Sequence, residues 1–289
     1  MGILNKKMEA VPHPKNLDFF LITGENEKMK WGIEKAKLTF HYFQKCLKNP
    51  KDGQHNFSIR AGIQYQGKKE SIWLTEPSMD KNGDFIGILS KAPSTIKDLK
   101  LNQKIEVAKQ SISDWMFVEN KRLIGGYTLR AIREELGTDQ LKDFDHSIGG
   151  MQIDAGEDYF LSNFETPEGA ILCLEEAYTN KDVNAAIACK DFDKEAAFLL
   201  NKSIHTIADT DKNLIKRTSE LLQSYFILDL KENGFPNFSE FKRAFKRFKI
   251  TEEHYIISEL CYHSNGAVSS QKFHTIQVDE KWKVLGMED

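Results

Sequence analysis

Several signatures that would announce a chemistry are missing from this sequence. There is no Gly-x-x-x-x-Gly-Lys-Ser/Thr, no strand followed by three spaced glycines, and no His-Glu-x-x-His. Those absences argue against a P-loop, a dinucleotide fingerprint and a zincin-type metal site. Cysteine is scarce. Cys46, Cys173, Cys189 and Cys261 are the four thiols in 289 residues, and none forms a Cys-x-x-Cys. A disulfide scaffold is therefore not expected, and a reducing, cytoplasmic setting fits best. Cys46, Cys173 and Cys189 sit in helix-like apolar patterns, where a buried free thiol is the default. No apolar run reaches the ~20 residues that a spanning helix needs. The opening MGILNKKMEA lacks the apolar core of a signal peptide, and Lys6 stands where a myristoylation motif requires Ser or Thr. Net charge is only −3, so no global field draws the chain to nucleic acid or to a membrane. No cofactor and no metal is expected.

What is present is apolar and periodic. Hydrophobic residues make up 40% and charged residues 29%, with 19 phenylalanines, so the chain is globular. The charge is uneven. Residues 1–150 hold 24 Lys+Arg against 19 Asp+Glu, and residues 151–289 hold 16 against 24, a net of +5 and −8. This asymmetry predicts two domains, 1–150 and 151–289.

Residues 1–23 read as an irregular lead containing Pro12 and Pro14. Met29, Ile33, Ala36, Phe40, Phe43 and Leu47 then recur at helical spacing, which predicts one helix from about Asn26, ended by Pro50 and Gly53. The period switches to two. Strands are expected at Phe57–Ala61, Ser71–Leu74, Asp84–Leu89, Lys104–Val107 and Trp115–Val118, with a turn after Gly67 and a hairpin at Asn82-Gly83. A short helix over 129–136 follows, stopped by Gly137. Residues 138–164 lose periodicity and place the domain boundary. Beyond it, Thr166-Pro167-Glu168 has the residue types of a helix start. Asp182 and Asp193 are expected to cap two further helices, and a longer one carries Leu214, Ile215, Thr218, Leu221, Leu222, Tyr225 and Phe226 on one side. Phe238, Phe241, Phe245 and Phe248 suggest another amphipathic helix, with the bases of FKRAFKRFK on its solvated side. The last residues read as strands, with Asn265-Gly266 as a two-residue turn.

The first half resembles the YegJ-like family, also called domain of unknown function 2314, over residues 26–136. The resemblance rests on AKLTFHYF, KKESIWL, GDFIGILSKAP and ISDWMFV…GGYTLRAIRE. It implies no activity and no catalytic residues. The second half, TPEGAILCLEEAYTNKDVNAAIACKDF and the closing strands over 165–287, is similar to the nuclear-transport-factor-2-like (SnoaL-like) cone. That resemblance implies a pocket which serves enzymes in some members and ligand binding or pairing in others. The expected class is α+β, with a mainly antiparallel sheet and flanking helices in each domain and a cone-like second domain.

Candidate site residues fall in two groups. Around Gly126, the start of a helix with Arg130 and Arg133 nearby could hold an anion or a partner. The competing reading is structural: Thr128 caps the helix, Tyr127 and Ile132 staple it, and the glycines shape the turn. Trp115 is either a partner anchor or, more simply, core. In the second domain, a two-residue turn at Asn265-Gly266 pairs residues whose numbers sum to 531. Glu259 then faces Lys272, and His263 and His274 share their sheet face. If that face lines a pocket, the three could act as acid and base, with Tyr178 and Asp191 near them. The leading expectation is a non-catalytic bacterial binding protein, one version being an immunity-type protein that neutralises a toxin through the acidic half. A small-molecule enzyme of isomerase, hydratase or hydrolase type is the alternative, and a homodimer through the second domain is a third.

Overall fold

The structure is a computed structural model that describes residues 26–153, 157–203, 211–238 and 241–288. The expected N-terminal lead lies outside the described residues. The chain divides into two compact units, Met1–Gly156 and Glu157–Asp289, and each contains an antiparallel sheet with helices, an α+β architecture.

The first unit opens with α1 (Glu27–Leu38) and α2 (Phe40–Lys48), not with one helix. The break is at Thr39, whose hydroxyl donates back to the Lys35 carbonyl at 2.7 Å while its own backbone leaves helical geometry. Six strands follow: β1 (Gln54–Tyr65), β2 (Lys68–Met79), β3 (Phe85–Leu89), β4 (Lys104–Val107), β5 (Ile112–Glu119) and β6 (Arg122–Gly125). They form a sheet in the order β4-β3-β2-β1-β5-β6. β1 and β2 are longer than their alternation suggests, because Gln66 and Gly67 both take positive φ, 48° and 78°, and close a tight two-residue turn. Then come α3 (Tyr127–Glu134) and α4 (Thr138–Ser147). The latter corrects the expectation of an aperiodic segment: α4 buries Phe144 and holds a single-turn apolar face too short to register as a period.

β5 is buried on both faces, which explains its unbroken Trp-Met-Phe-Val run. Trp115 and Phe117 pack against Tyr42 of α2, and Trp115 also meets Phe43. Met116 points the other way into a cluster with Leu123, Leu129, Phe144 and Ile148.

The second unit contains α5 (Pro167–Thr179), α6 (Val183–Ala188), α7 (Phe192–Ser203) and α8 (Lys212–Glu232), then β7 (Lys242–Lys249), β8 (His254–Tyr262), β9 (Val268–Val278) and β10 (Lys281–Met287). The four strands form a meander in the order β10-β9-β8-β7. Thr166 caps α5 by accepting from Gly169 N, with Pro167 in the first turn. Asp182 caps α6. Asp191, not Asp193, caps α7, accepting from Lys194 N at 2.9 Å.

Two expectations fail here. Residues 242–249 are the edge strand β7, not an amphipathic helix. Arg243, Phe245 and Arg247 share the face that packs inward, where Glu259 and Glu168 neutralise the two arginines, so the period of two is masked by inward charge. The terminal hairpin is also one residue out of the expected register, with Glu259 opposite Gln271 and His274 opposite Ile256. Its loop has three residues rather than two. His263 N bonds to Ala267 O, Asn265 Oδ1 accepts from Ala267 N, and Gly266 takes φ 84°.

Candidate functional site

The α3 N-terminus is occupied by the protein itself. Asp114, fully buried on β5, accepts from Tyr127 N at 3.1 Å, from Thr128 N at 2.8 Å, from the Thr128 hydroxyl at 2.5 Å and from Trp115 N at 2.8 Å. Burial pushes its pKa up, while the Thr128 and Trp115 bonds and the nearby Arg60 pull it down. The carboxylate sits where an anion at a helix start would sit. Thr128 is therefore not the cap. The cap position is Gly126 in left-handed geometry, and Thr128 helps to hold Asp114.

The two arginines are likewise engaged. Arg130 turns back on the chain, donating to Gly125 O at 2.8 Å and to Leu123 O at 2.7 Å. Arg133 forms a two-pronged pair with Asp145 of α4 at 2.8 and 2.9 Å. Trp115 is fully buried and its indole donates to Ala36 O at 2.9 Å, so it is a core residue and offers no surface. A similar internal arrangement recurs at Glu70, whose carboxylate accepts from the backbone N–H groups of Ser94, Thr95 and Ile96 at 2.6, 2.8 and 3.1 Å.

The second unit gathers ionisable groups in its interior. Arg243 Nε lies 2.8 Å from Glu175 Oε2 of α5 and 3.1 Å from Glu259 Oε1 of β8, close in distance but off-axis for hydrogen bonds. Gln271 donates to the second Glu259 oxygen at 2.6 Å. Burial and the adjacent Glu259 push Glu175 up to about 9, so it keeps its proton at neutral pH. Arg247 forms a bidentate pair with the fully buried Glu168 at 2.9 and 2.8 Å. Lys190 is paired with Glu195 at 3.1 Å and lies over the rings of Phe192 and Phe226. Burial lowers its pKa. Tyr178 packs among Phe226, Phe235 and Phe238, and burial, then Cys189, Asp229, Glu175 and Glu195, push its hydroxyl well up. A cluster of perturbed groups of this kind can hold and move a proton.

The structure does not bring together the set expected on the hairpin. Glu259 lies on the inward face, and the register shift carries His274 to the opposite one. There its Nδ1 is 3.0 Å from His254 Nε2. His263 lies beyond the end of β8, stacks on Phe241 at 4.5 Å and meets the Ser269 hydroxyl at 2.9 Å. Asp191 serves as a helix cap. Of the expected pocket, Glu259 and Tyr178 belong to the interior cluster. Glu175, Glu168, Arg243, Arg247 and His254 were not foreseen. The two arginines were visible as alternate residues of Arg-Ala-Phe-Lys-Arg, had that stretch been read as a strand.

Comparison with known proteins places the first unit. Residues 26–151 match the family described as "Uncharacterized protein conserved in bacteria (DUF2314)". The match takes in β1 to β6 and both flanking helix pairs. The protein YegJ of Escherichia coli K12 is 33% identical over 111 residues, 38% of this chain and 71% of that protein. A putative ankyrin repeat protein of Neisseria meningitidis serogroup B is 30% identical over 89 residues, 30% of this chain and 33% of that protein. No solved structure matches the chain. By its likeness to YegJ and the match over residues 26–151, the chain belongs to the DUF2314 family of proteins conserved in bacteria.

Proposed function

We propose that the chain is a non-catalytic bacterial binding protein whose second unit presents α8 to a protein partner of basic character, its specific form being an immunity-type protein that neutralises a toxin in the cytoplasm. The observation that carries this reading is the exposed side of α8. Leu221, Tyr225 and Leu228 are 71%, 72% and 48% exposed and recur at i, i+4 and i+7. Ser219 and Leu230, on the other side, are buried. A helix apolar on two sides has one side to spend on a partner. The net of −8 over residues 151–289 favours a basic one. The helices-then-meander order also fits the cone-like reading of this unit, in which pairing of two copies through the sheets is a competing use.

The test is co-purification from a bacterial host that carries a DUF2314 protein. The full-length wild type is expected to recover a stoichiometric protein partner. Leu221→Glu/Tyr225→Glu is expected to lose it while keeping the wild-type circular dichroism spectrum. Retention of the partner by that variant, or no partner with the wild type, overturns the proposal.

A second reading, a small-molecule enzyme using the interior of the second unit, is favoured by one observation, the buried carboxyls of Glu175 and Glu259 at 2.8 and 3.1 Å from Arg243 Nε. Here Glu175 would act as the acid and Arg243 would face an anionic group. A turnover screen on carbonyl and hydroxy-acid substrates, with Glu175→Gln as control, separates the two. Turnover abolished by the substitution supports the enzyme.

A further inference from the structure

On the face of β8 and β9 opposite Glu259, two imidazoles meet. His254 Nε2 and His274 Nδ1 are 3.0 Å apart, and the rings stand 5.2 Å centre to centre. Phe198 of α7 covers both, 4.6 Å from His274 and 5.6 Å from His254. His274 is buried, and its neighbours across the strands are Ile256 and, along the same face, Ile276.

A single proton lies between the facing nitrogens, donated by one ring and accepted by the other. A first added proton can settle on the far nitrogen of the donor ring and leave the bond intact. A second must enter the gap, where two N–H groups then point at each other and two positive rings face at 3.0 Å. The charged groups around the pair act in both directions. Lys202 of α7 disfavours charge on His274, whereas Glu288, just past β10, favours it. Glu288 is also paired with Lys272 of β9 at 3.3 Å.

We propose that the His254–His274 pair is an acid-operated latch: with at most one extra proton it holds Phe198 and α7 on the sheet, and with two it releases them. The direction follows from the environment. Burial lowers both imidazole pKa values, and for His274 the proximity of His254 lowers it further. Stability contributed by a group lowered in the folded state is present above its unfolded value near 6.5 and is lost as pH falls below it. The latch is thus closed at neutral pH and opens in mild acid. It rests on a different face and different residues from the α8 surface, and stands or falls independently of the proposed partner.

The experiment is amide hydrogen exchange of the full chain at pH 7.5 and 5.0, corrected for the intrinsic pH dependence of exchange. Protection over 192–203 is expected to fall at least tenfold at pH 5.0 in the wild type and to be retained in His254→Gln/His274→Gln. No change in the wild type, or the same loss in the double variant, overturns the latch. If the double variant does not fold, imidazole nitrogen NMR of the wild type decides. A shared proton at neutral pH and a second protonation coincident with α7 release support it; two rings titrating independently overturn it.

Discussion

Gly125 shows how one residue can be required twice. Its φ is 73°, and a Cβ there would lie 2.4 Å from Trp115 O and 2.5 Å from the indole ring. Gly266 has a similar φ of 84° with open space around it. Comparing alanine at the two sites separates backbone strain from collision. Gly266→Ala is expected to cost about 1–2 kcal/mol, the strain alone. Gly125→Ala is expected to cost roughly 2–6 kcal/mol, strain plus overpacking. Urea unfolding checks both, and equal losses would contradict the contact geometry. The glycine pair is legible in the sequence as a turn. The reason for it is not, because the atoms that forbid a side chain belong to Trp115, ten residues away.

The strands β1 to β5 of the first unit are readable for a physical reason. Each strand from β1 to β5 alternates or runs apolar between recognisable turn residues, and local chemistry matches the tertiary outcome. β7 fails that test, since two of its inward positions are arginines, made tolerable there by Glu168 and Glu175 of α5, far off in sequence, and by Glu259 of the neighbouring strand β8. The hairpin register fails on a smaller scale: one additional loop residue moves His274 across the sheet. The interior cluster between α5, β7 and β8 makes a pH prediction. Glu175 is raised from 4.5 to about 9, so the stability it contributes is full below pH 4.5 and declines as pH rises toward 9. Chemical denaturation of the wild type should show that decline over pH 5–9, and Glu175→Gln should flatten it. A wild-type stability that increases steadily across this window would show that Glu175 is ionised in the fold. Glu259→Ala leaves Arg243 short of a partner in the interior and is expected to cost about 3–5 kcal/mol, measured the same way at pH 7.

At the scale of the molecule, two compact units each carry their own sheet and apolar cluster. We propose that they fold as separate domains, 1–150 and 151–289. Calorimetry of the full chain is then expected to give two transitions. Gly125→Ala should lower one of them and Glu259→Ala the other. A single transition moved by both substitutions would refute separate folding. Charge and composition hinted at this division, but only the contact pattern assigns each buried carboxylate to a unit. Two interior pairs of the second unit, Glu168–Arg247 and Glu175–Glu259, are unreadable in one dimension because each joins a helix to a strand some 79 or 84 residues distant.

Asp114 is in effect a ligand that cannot diffuse away. Its concentration at the α3 N-terminus is set by the chain and not by the solution, and tethering of this kind corresponds to millimolar or higher effective concentrations. A free phosphate or carboxylate would have to displace it by mass action while also stranding a buried charge. Added phosphate should therefore give no saturable stabilisation through the α3 N-terminus, and a nucleotide or phosphorylated metabolite would have to enter the protein somewhere else.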